Sequence, residues 1–71
     1  MEKVLIFGAG GFVGSYLSRE FLEHGYAVVG SDKATRGQLP PEVAFHPADL
    51  LNAEEVESLV NAIAPDIVIN L

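Results

Sequence analysis

Apolar residues along this 71-residue chain fall into short unbroken runs and into stripes that recur every three or four positions. Lys3 to Phe7 is a nearly continuous apolar run closed by glycine, which predicts a parallel strand buried on both faces. Val13, Leu17 and Phe21 follow at intervals of four, with Tyr16 in the same stripe, while Ser15, Arg19, Glu20 and Glu23 point elsewhere. That spacing predicts an amphipathic helix with one face on a sheet, begun within the glycines and ended at His24-Gly25 by a left-handed glycine cap. Ala27 to Gly30 is a second apolar run, and Lys3 to Asp32 has the length of a right-handed strand-helix-strand crossover.

The second half repeats the alternation with weaker signals. Lys33 to Pro41, rich in polar residues and ending in Pro40-Pro41, predicts a loop where a second helix could stand. Val43 to His46 is a short strand candidate, and Pro47-Ala48-Asp49-Leu50 a strand-end loop. Asn52 then caps a helix in a capping-box-like start with Glu55, and Val56, Leu59, Val60 and Ile63 form its buried face. Pro65 stops that helix, and Asp66 to Leu71 is a last apolar strand. The order predicts one α/β domain over residues 1–71: a Rossmann-like parallel sheet, strand order 3-2-1-4, flanked by helices.

Composition narrows the chemistry. Four Lys and Arg against ten Asp and Glu give a net charge of −6, which argues against nucleic acid as the partner, since phosphate backbones are bound by cations. Without cysteine there are no disulfides or thiolate metal sites, and His24 and His46 alone do not make a metal centre. No run reaches the roughly 18 apolar residues of a spanning helix and no signal-peptide pattern opens the chain, so the expectation is a cytoplasmic protein with no membrane partner.

The most telling stretch is Gly8-Ala9-Gly10-Gly11-Phe12-Val13-Gly14, between predicted strand and predicted helix, with Asp32 at the end of the next strand. Glycine-rich turns also serve purely for tight packing. In this context, however, each glycine has a dinucleotide role: Gly8 for the sharp turn, Gly11 for backbone approach to the pyrophosphate, Gly14 for close helix packing. Asp32 can accept both adenosine ribose hydroxyls while repelling a 2′-phosphate, which favours NAD. Lys33 and Arg36 follow closely and leave NADP open, although an ordinary solvated loop is the simpler reading of both.

The 3-3 spacing of Gly8, Gly11 and Gly14 resembles the short-chain dehydrogenase/reductase superfamily, in its extended branch of NAD-dependent epimerases and dehydratases acting on nucleotide sugars. Asp32, Asp49-Leu50 and Pro65-Asp66-Ile67-Val68-Ile69-Asn70-Leu71 extend the resemblance over essentially the whole chain. It implies pyrophosphate contacts from the backbone N–H groups of Phe12 and Val13, and adenine contacts from Asp49 and Leu50. Phe7 and Asn70 stand where many members have Thr and His, a departure that leaves epimerase, dehydratase and reductase open.

The resemblance further implies a catalytic Tyr with a Lys four residues later. Here Tyr16 is followed at that distance by Glu20 and Tyr26 by Gly30, so no catalytic residue is assigned, and the acidic run Glu54, Glu55 and Glu57 reads as a solvated first helical turn. The chain thus reads as the first half of an enzyme, truncated after its fourth strand and inactive alone, with a nucleotide sugar as partner only in a longer parent. The alternative is a non-catalytic nucleotide-binding or self-assembling fragment, self-association running through the exposed last strand.

Overall fold

The computed structural model describes residues 1–33 and 35–71. Its elements run β1 (Lys3–Phe7), α1 (Phe12–Glu23), β2 (Ala27–Ser31), β3 (Ala44–Phe45), α2 (Ala53–Ile63) and β4 (Ile67–Asn70). The four strands form one parallel sheet in the order β3-β2-β1-β4, as the alternation of strands and helices predicts.

Register assigns the faces. Leu5 pairs with Val29 and Phe7 with Ser31, and paired positions in parallel strands share a face. Leu5 and Phe7 meet Ile63, Val56, Leu59 and Val60 of α2. On the other face Val4, Ile6 and Val28 form a core with Leu17, Phe21 and Leu22 of α1. Val4, Leu5 and Ile6 are fully buried, and each such side chain contributes about 1.5–3 kcal/mol relative to exposure.

The buried side of α1 is rotated from the predicted stripe. Gly14, Ser15 and Ser18 are its buried residues, whereas Val13 is 56% and Tyr16 57% exposed. Gly14 is the cause: a Cβ there would run into the backbone of Ala9, so the helix lies too close to the turn for large side chains beneath it. The serines suit that gap because they satisfy themselves, Ser15 Oγ donating to the Phe12 carbonyl at 3.0 Å and Ser18 Oγ to that of Gly14 at 2.7 Å. Gly25, at φ +85°, ends the helix as expected, and Tyr26 packs edge-on against Phe21 with centroids 5.1 Å apart.

Between β2 and β3 the chain has no helix among the described residues, yet it fills the α1-side core with Leu39 and Val43. Gly30 makes the room, since a Cβ there would stand 3.0 Å from Leu39 Cδ1 and Ala9 Cβ. Arg36 is correspondingly no solvated loop residue: its Nη2 donates to the carbonyls of Pro40 at 2.8 Å and Val43 at 3.2 Å. β3 is shorter than the predicted Val43–His46, because Val43 turns into the core and its N–H donates to the Pro40 carbonyl.

Asn52 caps α2 as predicted, its Oδ1 accepting from the N–H groups of Glu54 and Glu55 at 3.1 and 3.3 Å. At the other end Ala64 adopts a left-handed conformation (φ 50°), so the helix stops before Pro65 rather than at it. Lys3 Nζ donates to the Ile63 carbonyl at 2.9 Å, placing a cation at the helix C-terminus. The Lys3 N–H also donates to Asp66 Oδ2 at 2.8 Å, joining the starts of β1 and β4.

Candidate functional site

At the C-terminal ends of β1 and β2 the chain makes the turn that the glycines require. Gly8 has φ +79°, and a Cβ on it would stand 3.3 Å from Leu71 Cβ, so conformation and space both select glycine. The N–H groups of Gly8 and Ala9 both donate to the Ser31 carbonyl, at 2.8 and 3.0 Å. Gly10 N–H donates to Asp32 Oδ2 at 2.9 Å, and Lys33 N–H to Asp32 Oδ1 at 2.7 Å. The carboxylate at the end of β2 is therefore fixed against the turn by backbone donors.

Gly11 is the N-cap of α1, in extended conformation, and a Cβ on it would meet nothing within 4 Å. No side chain caps this helix and no acid lies in its first turn, whereas α2 has both Asn52 and two first-turn glutamates. The first N–H groups of any helix lack intrahelical partners and carry its positive dipole end. In α2 that end is satisfied by the chain itself; in α1, where Phe12 and Val13 begin the helix with exposed side chains, it is left open above the glycine turn.

Beside it lies a pocket of about 230 Å³. Phe7, Ser31 and Ala48 are its buried walls, and Gly8, Asp32, Asp49 and Leu50 also line it. The loop carrying Asp49 is tied in by the Ala48 N–H, which donates to the Asp32 carbonyl at 3.0 Å, and is turned by Asp49 Oδ1, which accepts from Leu51 N–H at 3.0 Å. Of the eight residues singled out from sequence, Gly8, Asp32, Asp49 and Leu50 thus share one pocket. Gly11, Phe12, Val13 and Gly14 stand at the adjoining helix start rather than on its walls.

Two features escape sequence reasoning. Backbone meets backbone where the loop after β2 crosses the turn: a Cβ on Gly37 would collide with the Gly10 carbonyl, and one on Gly10 with the carbonyl of Thr35. Gly37 has φ +58°, and a glycine in a polar loop carries no mark of such a long-range contact. Ser31, fully buried at the end of β2, likewise reads in sequence as one more strand residue. The histidines lie elsewhere, His24 Nδ1 bonding to the Glu20 carbonyl at 2.8 Å, and no three His, Asp or Glu side chains gather as a metal site among the described residues. No helix among them is long and apolar enough to cross a membrane.

The arrangement has solved counterparts. The enzyme WbmH of Bordetella bronchiseptica, in complex with NAD+, is 32% identical over 100% of this chain and 25% of its own, with a TM-score of 0.82. UDP-glucose 4-epimerase of Thermus thermophilus, in complex with NAD, is 31% identical over 96% of this chain and 23% of its own, with a TM-score of 0.84. That of Brucella ovis, also with NAD, gives 28% identity over 100% and 22%, with a TM-score of 0.88. The chain therefore spans about a quarter of the length of these structures. No match was found among curated proteins. The sequence profile of the NAD dependent epimerase/dehydratase family matches residues 4–71, and with that match covering nearly the whole chain the protein belongs to this family.

Proposed function

We propose that the chain binds NAD at the glycine turn and the adjoining pocket, as the nucleotide-binding part of an enzyme acting on nucleotide sugars. The observation that carries this reading is the convergence of Gly8, Asp32, Asp49 and Leu50 on one pocket beside the open start of α1. The residues fit the cofactor. Space above Gly11 admits a pyrophosphate to the backbone N–H groups of Phe12 and Val13, with Gly8 and Gly14 shaping the turn beneath. Asp32, already held by two backbone N–H groups, presents its remaining lone pairs to the ribose hydroxyls, and Asp49 and Leu50 flank the adenine.

Preference for NAD over NADP follows from the same atoms. A 2′-phosphate would meet the Asp32 carboxylate, and of the two nearby cations Arg36 has its Nη2 committed to the Pro40 and Val43 carbonyls, which leaves Lys33 on the pocket wall as the one placed to offset the repulsion. When bound, NAD supplies a hydride acceptor; this chain's residues hold and orient it. The catalytic Tyr and Lys and the sugar site belong, in this proposal, to a longer parent, so the 71 residues alone turn over no nucleotide sugar. A non-catalytic nucleotide-binding module is the second reading, favoured by Glu20 and Gly30 standing where a Lys would follow Tyr16 and Tyr26. Turnover by the 71-residue chain would overturn both.

Calorimetric titration of the chain with NAD, NADP and NAD against Asp32→Ala tests the binding. The expected result is NAD binding at least tenfold tighter than NADP, with the preference lost in Asp32→Ala. Equal binding of all three pairings would refute the assigned role of the carboxylate.

A further inference from the structure

Ser31 is wholly buried, and its Oγ is the one buried side-chain polar atom without a hydrogen-bond partner among the described residues. The chain treats its other buried hydroxyls differently, Ser15 and Ser18 each donating to a carbonyl of their own helix. Buried polar groups are almost always paired, and an orphan marks a place where a partner is missing. The backbone of Ser31 is fixed, its carbonyl accepting from both Gly8 and Ala9 and β2 pairing it with Phe7 in the sheet, so only rotation about its own Cα–Cβ bond re-aims the hydroxyl. It also lines the pocket that Asp32 and Asp49 share. An alanine would fill the same space beside Phe7 without an unmatched hydroxyl.

We propose that Ser31 Oγ is an anchoring contact for the adenosine half of a dinucleotide, bonding to it directly or through one water held in the pocket. The proposal rests on the NAD-binding reading above and assigns within it a positioning residue on the pocket wall. It predicts a separation between folding and binding, because the hydroxyl does nothing for the ligand-free chain and completes its bonding only with ligand in place.

The test uses the 71-residue chain and its Ser31→Ala variant, with thermal unfolding of each in the absence of ligand and calorimetric titration with NAD and with AMP. The expected result is a ligand-free melting temperature equal to or above wild type, with NAD and AMP both weakened by about threefold to tenfold, the range of one neutral hydrogen bond. Undiminished AMP binding by the variant would overturn the role of the hydroxyl while leaving the NAD-binding reading intact. A lowered ligand-free melting temperature would make Ser31 a structural residue and also overturn it. Wild-type chain that binds neither NAD nor AMP would bring down the reading and the proposal together.

Discussion

Gly11 and Gly14 stand three residues apart and answer to different demands. A Cβ on Gly14 has nowhere to go, so Gly14→Ala is expected to cost about 1–3 kcal/mol of stability through forced separation of α1 from the turn. A Cβ on Gly11 meets open space, so Gly11→Ala is expected to cost under about 1 kcal/mol while weakening NAD. Urea unfolding and calorimetry on both variants check this, and equal losses of stability would contradict the assigned division of labour. The turn itself, between strand and helix, was legible in the sequence because glycine spacing there is a local signal. The exposure of Val13 and Tyr16 was not, because periodicity registers which positions are apolar, whereas the contact with Ala9 selects positions that are small. Arg36 and Gly37 were missed for a related reason: their partners, the Val43 carbonyl and Gly10, lie several to many residues away.

At the scale of elements, the segment after β2 does a helix's packing without being one. Leu39 and Val43 enter the core over Gly30, and Arg36 ties the segment's carbonyls together. Leu39→Ala is expected to lower stability by about 2–5 kcal/mol, as for other buried leucines, with denaturant unfolding as the measure; a loss below about 0.5 kcal/mol would show the segment to be an ornament. Strands β1 and β2 and helix α2 were legible from runs, caps and periodicity. β3 shrank to Ala44–Phe45 because Val43, apolar and β-branched like any strand residue, serves the loop's packing instead. The tethering of β1 to β4 through Lys3 and Asp66 spans most of the chain and leaves no sequence pattern.

For the molecule as a whole, a radius of gyration of 10.9 Å is close to the roughly 11 Å expected of a compact domain of this length. Compactness does not mean full burial. Among the described residues the buried apolar cluster on the α2 side consists of Leu5, Phe7 and Ile63, and β4 pairs with β1 alone while Val68 is 50% and Leu71 49% exposed. A domain this small buries roughly 60% of its unfolded surface, which leaves apolar strand edges in water. The 71-residue chain is therefore expected to self-associate, seen by light scattering as a mass that rises with concentration, and Val68→Lys is expected to reduce that rise. A concentration-independent monomer mass for the wild type would refute it.

The crossing of Gly10 and Gly37 sets a rule for anyone redesigning this protein. Because the two backbones touch with no side chain between them, the glycine turn and the loop after β2 behave as a single casting. Replacing the exposed Lys33 side chain keeps the mould, but replacing Asp32 removes the acceptor of the Gly10 N–H, and transplanting the loop from a relative without a glycine at its crossing point breaks it. Loop and turn have to be exchanged together.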